Sequence, residues 1–172
     1  MLHQALAVLG QQGSELAQLD EIPSAFYVTD AQGVITFYNK ACIGFSGRTP
    51  ETGHDRWCVT WKLYTDAGEA LEHEKCPMAV AIQEKRAVRG VTAVAERPDG
   101  SRVNFRPYPT PLLDESGELI GAVNLLVDIT SSRLRDKMEQ CLRLAASVGD
   151  PDVVRKLKGL AREYEEKMLA LA

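Results

Sequence analysis

The stretch AFYVTDAQGVITFYNKA, residues 25–41, decides how the rest of the chain is read. Two short runs rich in Val, Ile, Phe and Tyr flank Asp30-Ala31-Gln32-Gly33. Asp30 can cap a turn and Gly33 can take positive φ, so the spacing predicts a β-hairpin. Asn39 then stands where an N-cap is needed, and a short helix is expected through KACIGF. Strand, turn, strand and helix follow one another within about twenty residues, as in small α+β folds.

Downstream, residues 47–87 hold no long alternating run, and the firmest helix is CPMAVAIQEKR, residues 76–86, with Pro77 in its first turn. Strand patterns return in VRGVTAVAER, SRVNFRPYPTPLL and ELIGAVNLLVDIT. The turns PDG and DESG join them, which predicts a three-stranded antiparallel meander. Pro107, Pro109 and Pro111 occupy alternate positions of the middle strand, so all three missing N–H groups point to the same side. That side is expected to be poorly laddered or to run past the end of its neighbour.

The ends are helical in pattern. Leu2, Leu6, Leu9, Leu16 and Leu19 form a loose stripe interrupted by Gly10 and Gly13, and Pro23 closes it. After Thr130, a candidate cap, Leu134, Met138, Cys141, Leu142 and Ala145 repeat on one helical face. VGDP interrupts that helix, and Asp150-Pro151 restarts a second one bearing Val153, Val154, Leu157, Leu160, Ala161, Tyr164, Met168 and Leu171. A helical hairpin follows from the short connection. The expected organisation is an N-terminal helix over residues 1–19, a core domain over 20–130 and the hairpin over 131–172.

Composition excludes several classes of function. Apolar residues make up 45% of the 172 and charged residues 26%, ordinary globular usage with enough apolar surface for a core. The net charge of −4 comes with Lys and Arg spread along the chain, so no basic stripe is available to neutralise nucleic-acid phosphates. No apolar run approaches the roughly 20 residues of a membrane span. The first residues show neither a cationic start nor a small-residue cleavage site, which predicts a cytoplasmic protein. Cys42, Cys58, Cys76 and Cys141 are then expected to be reduced. No Gly-rich phosphate loop is present, and no nucleophile, base and orienter fall at a recognisable spacing, so an enzyme is not expected.

Five stretches, FYVTDAQGVITFYNKA, DRWC, CPMAVA, ERPDGSRV and GAVNLLVDIT, resemble in order and spacing the PAS modules of bacterial signalling proteins. The resemblance covers residues 20–130. It implies a five-stranded antiparallel sheet with short helices on one face and a cavity between them that holds a ligand or is filled by side chains. It also implies that Asp128, Ile129 and Thr130 form the junction through which the sheet biases an attached helix. The LOV-type flavin signature N-C-R-F-L-Q is missing. The only histidines are His3, His54 and His73, so the tail lacks the phosphoacceptor of a histidine kinase.

The resulting expectation is a non-catalytic sensor or adaptor that dimerises and regulates a signalling partner, such as a histidine kinase of a two-component phosphorelay, by protein contact. Its dimer or partner contacts would use Leu2, Leu6, Leu9 and Leu16 at one end and Leu134, Met138, Leu157 and Tyr164 at the other.

The stretch 54–76, HDRWCVTWKLYTDAGEALEHEKC, leaves three readings open. His54, Cys58, His73 and Cys76 have a spacing that tetrahedral zinc tolerates. His73 or a Cys76 thiolate is a candidate axial ligand for heme, as held by some PAS domains. In the third reading, Trp57, Cys58, Trp61, Cys76 and Met78 line a core or cavity, since free cysteines behave as small hydrophobes. Phe105, Tyr108 and Asn124 are further candidates to face that cavity, each subject to the alternation of its strand. A cofactor is not fixed by the sequence.

Overall fold

The computed structural model of the chain describes residue 20 and residues 22–171. The N-terminal stripe of Leu2, Leu6, Leu9 and Leu16 lies outside the described residues. The chain divides into two compact units between Val127 and Asp128, and each is described by itself.

In the first unit the predicted hairpin forms from β1 (Ala25–Asp30) and β2 (Ile35–Tyr38). Its turn is built as the residue types dictate. The Asp30 carboxylate accepts from the amides of Gln32 and Val34, both at 2.9 Å, and Gly33 takes φ +81°. A short helix, α1 (Ala41–Ser46), follows, but Asn39 does not cap it. The Asn39 side chain is buried and turned back toward the chain entering β1. It accepts from the Phe26 amide at 3.0 Å and donates to the carbonyls of Ile22 and Ser24 at 3.1 and 3.0 Å. Burial outweighed the cap, because a fully enclosed amide needs all its partners.

Among the described residues the sheet has seven strands, not five, in the order β2-β1-β7 (Leu119–Asp128)-β6 (Arg102–Leu113)-β5 (Ala93–Glu96)-β3 (Lys62–Tyr64)-β4 (Ala70–Leu71). The additional pair is β3 (Lys62–Tyr64) and β4 (Ala70–Leu71), a small hairpin whose turn is closed by Thr65 N–H to Glu69 O at 2.8 Å. It extends the edge of β5 (Ala93–Glu96) through the pairs Lys62↔Glu96 and Tyr64↔Val94. Strands this short leave no alternating pattern to read. Between β4 and the next helix lies a 3-10 turn, His73–Lys75, and then α2 (Pro77–Gln83), with Pro77 in the first turn as expected.

The long strands β6 (Arg102–Leu113) and β7 (Leu119–Asp128) complete the sheet. Pairing between β5 and β6 stops at Ala93↔Phe105, so Pro107, Pro109 and Pro111 lie beyond the end of β5, as their spacing requires. β5 starts later than the sequence suggests because Val88 and Arg89 serve that gap instead. The Val88 amide and the Arg89 guanidinium both donate to the Pro109 carbonyl, at 3.3 and 2.7 Å.

Alternation on the strands and the apolar stripes of α1 and α2 converge on one core. Tyr27, Ile35, Cys42, Phe45, Val59, Met78, Ile82, Val103, Phe105 and Leu126 are buried together, and the rings of Phe45 and Phe105 meet edge to face at 5.3 Å.

The second unit is the predicted helical hairpin of α3 (Thr130–Ser147) and α4 (Pro151–Leu169). Leu134, Met138, Cys141, Ala145 and Val148 recur at spacings of four and three, as do Val154, Leu157, Ala161, Tyr164 and Met168. These ten are the buried and half-buried residues of the seam. Leu142, Val153, Leu160 and Leu171, expected on the same stripes, are exposed. Thr130 is the first helical residue rather than the cap, and its amide donates to the Asp128 carboxylate at 2.8 Å. Asp150 caps α4 as expected, accepting from the amides of Asp152 and Val153 at 2.8 and 3.3 Å. Among the described residues no helix is long and apolar enough to cross a membrane.

Candidate functional site

The site begins at a backbone irregularity. Trp57 has φ 68°, a left-handed conformation that costs a non-glycine residue about 1–3 kcal/mol and persists only where the surroundings impose it. Here the surroundings are specific. The Trp57 amide donates to the Gly33 carbonyl at 2.8 Å, its ring lies against Gly33 where a β-carbon would collide, and the Arg56 guanidinium covers the ring at 5.1 Å. The twist aims the Trp57 carbonyl inward, where it accepts from the Tyr27 hydroxyl at 2.8 Å.

From Tyr27 the hydrogen bonds continue across the sheet. The Asn124 side-chain amide donates to the Tyr27 oxygen at 3.0 Å and accepts from the Tyr108 amide at 3.0 Å. Burial raises the Tyr27 pKa, so the phenol stays protonated and remains a donor. The relay therefore links the Trp57 loop to β1, β6 and β7 through buried groups, whose bonds are costly to leave unmade.

Outside the Trp57 loop lies a surface pocket of about 390 Å³, lined by Arg48, His54, Asp55, Arg56, Trp57, Cys58, Thr60, Trp61, His73 and Glu74. Arg48 and Asp55 form an ion pair at 2.7 Å, and Arg48 also donates to the Val59 carbonyl at 3.0 Å. The Thr60 hydroxyl donates to Cys58 Sγ at 3.2 Å and lies 3.4 Å from His73 Nε2. Burial lowers the His73 pKa, so the ring is neutral at pH 7.

The residues singled out from sequence divide between core, pocket and outer face. Cys58, Cys76, Met78, Phe105 and Asn124 are buried in the core, and Trp57 packs on its edge. Trp61 is not a core residue: it is 52% exposed and stands in the pocket wall. Tyr108 does not face the interior either. It lies an odd number of positions from Phe105, so the pleat turns it to the other sheet face, where Arg89 sits 5.8 Å from its ring. Sequence reasoning missed Tyr27, Thr60 and Arg48. No local pattern marks Tyr27, whose partner Asn124 is 97 residues away.

His54, Cys58, His73 and Cys76 do not close into a zinc site. Among the described residues no three His, Cys, Asp or Glu side chains converge on a point that holds a metal ion. His54 is exposed, while Cys76 is fully enclosed by the core. Heme does not fit these residues. Tyr27, Met78, Phe105 and Leu126 are fully buried side chains of the core. His73 Nε2 lies 3.4 Å from the Thr60 hydroxyl at the pocket wall, and Cys76 is enclosed by the core at 1% exposure, so neither presents a free axial ligand.

A sheet cupping short helices around a buried core, with its last strand followed by a helix, is a small α+β architecture. The chain belongs to the PAS family: the family model described as PAS fold matches residues 19–134. Solved structures agree on the fold. An RNA-binding Light-Oxygen-Voltage receptor aligns over 78% of this chain with a TM-score of 0.55 and 20% identity; the chain spans only 38% of that receptor. A Light-Oxygen-Voltage domain studied with a flavin analogue aligns over 75% of this chain and 94% of its own length, with a TM-score of 0.52 and 13% identity. No curated protein matches the sequence.

Proposed function

We propose that the protein is a non-catalytic PAS sensor or adaptor of the cytoplasm, which dimerises and regulates a signalling partner by protein contact. A histidine kinase of a two-component phosphorelay is the expected partner class. In this reading residues 20–130 sense, Asp128, Ile129 and Thr130 form the junction, and residues 131–172 deliver the output.

One observation carries the reading. The buried relay from the Trp57 loop passes through Asn124 of β7, and β7 passes into α3 across the single residue Ile129, with Asp128 holding the first helical amide. Any change in the relay alters hydrogen bonds on the strand that leads to the helix, and a strand-to-helix junction with two arrangements is what switching needs.

The helices supply the surface for self-association. Val153 and Leu160 lie seven residues apart, and so do Lys137 and Leu144. Each pair therefore shares a helix flank, and Lys137 reaches the Tyr164 ring at 5.9 Å. Leu144, Val153 and Leu160 thus fall on one side of the hairpin, exposed by 45, 40 and 42%. Sedimentation of the full chain tests the proposal: a dimer is expected at micromolar concentration, and Leu144→Glu with Leu160→Glu should give a monomer. A monomeric wild-type chain at high micromolar concentration would remove the dimer from the reading.

A further inference from the structure

Tyr27, Met78, Phe105 and Leu126 are fully buried in the core, whereas the pocket beside the Trp57 loop is open to solvent. Trp61 leaves 52% of its surface to solvent at the pocket described above. An indole offers the largest contact area of any side chain, and covering it is favourable for a flat apolar ring. Its neighbours are polar and fixed. Thr60 is held between Cys58 and His73, and the Arg48–Asp55 pair closes one wall. The lining holds two arginines and two carboxylates, so their charges cancel and a ligand of net charge gains little there. About 390 Å³ is at the small end of the range for small-molecule sites, enough for one or two fused rings.

We propose that this pocket binds a small, uncharged, planar nitrogen heteroaromatic, stacked on Trp61 with its polar edge toward Thr60 and His73. The inference rests on the sensor reading, and it names the input of that sensor. The back of the pocket is the Trp57 loop, whose carbonyl holds the Tyr27 hydroxyl. A ring seated on Trp61 therefore contacts the segment from which the relay to Asn124 and β7 starts.

The sequence has two tryptophans, Trp57 and Trp61, and both line the pocket, so intrinsic fluorescence reports its occupancy. Adenine, hypoxanthine and quinazolinone are the probes, titrated into the full chain. Saturable quenching by at least one is expected, with calorimetry giving the same affinity. Trp61→Ala should weaken that binding about tenfold or more and Trp61→Phe should largely preserve it, because stacking is retained. Trp61 is exposed, so Trp61→Ala should keep the wild-type circular dichroism. If Trp61→Ala unfolds the chain, the Trp61→Phe and Thr60→Val titrations decide, the latter being expected to weaken binding.

Three results would overturn the proposal: no saturable quenching by any of the three probes, equal binding by Trp61→Ala in calorimetry, or equally tight binding of cyclohexanecarboxamide, which keeps the amide but lacks the ring. Tighter binding of adenosine monophosphate than of adenine would likewise overturn it in favour of an anion site. None of these outcomes bears on dimerisation, which sedimentation decides separately.

Discussion

The Tyr27 hydroxyl donates to the carbonyl of Trp57, 30 residues further along the chain, and ties the left-handed Trp57 loop to the first strand. Tyr27→Phe removes one hydroxyl and leaves both the Trp57 carbonyl and the Asn124 amide short of a partner. The expected loss is about 2–4 kcal/mol, from two buried groups left unsatisfied. Urea denaturation measures it, and a change under about 0.5 kcal/mol would mean that water replaces the hydroxyl.

Backbone strain gives a prediction of opposite sign. Lys85 has φ 49° and is exposed, and its ion pair with Glu118, at 3.7 Å between exposed side chains, contributes little. Lys85→Gly should therefore raise stability by up to about 1 kcal/mol. Gly33→Ala should do the reverse, because its β-carbon meets the Trp57 ring at a positive φ. The thermal midpoints of the two variants should move in opposite directions.

Stability should fall at both ends of the pH range. Burial raises the Cys42 and Cys76 thiols from 9.0 to about 12, so folding favours their neutral forms. The stability they contribute is complete below pH 9 and is lost as pH rises from there through 12. His73 works in the other direction: burial lowers its pKa from 6.5, so its contribution is present above pH 6.5 and is lost as pH falls through the lowered value. Denaturation midpoints across pH should show both edges, and His73→Gln should flatten the acid one while leaving the alkaline one in place.

Thiol accessibility follows from the same burial. Cys42, Cys58 and Cys76 are buried and Cys141 is half-exposed in the hairpin seam. Iodoacetamide at pH 8 should modify Cys141 first in the native chain and all four in urea. Mass spectrometry of peptides would refute this if Cys58, which borders the pocket, reacted at the same rate.

Removal of the Asp150 cap should loosen the hairpin. Asp150→Ala leaves the amides of Asp152 and Val153 without their acceptor, at a cost of about 1 kcal/mol. Hydrogen exchange should quicken in the first turn of α4 and stay unchanged in β6. Equal acceleration in both would show that the two are one cooperative unit.

Local chemistry made the fold legible where a residue type has one dominant use. Asp30 and Gly33 announced their turn, Pro77 its helix start, and the alternate prolines of β6 the side without a partner. The β3–β4 hairpin escaped because three and two residues make no period. Asn39 was misread because its buried partners, Phe26, Ile22 and Ser24, precede it by 13 to 17 residues. The site was less legible than the fold. A cysteine or histidine spacing suggests ligands, yet the groups that meet are Tyr27, Trp57 and Asn124, brought together from two strands and a loop.

Among the described residues the sheet ends in β2, of four residues, on one side and β4, of two, on the other. Borders this short offer few free rungs on which another chain could lengthen the sheet, a safeguard against fibrous stacking. The same brevity means that a companion molecule gains little by adding strands to either border.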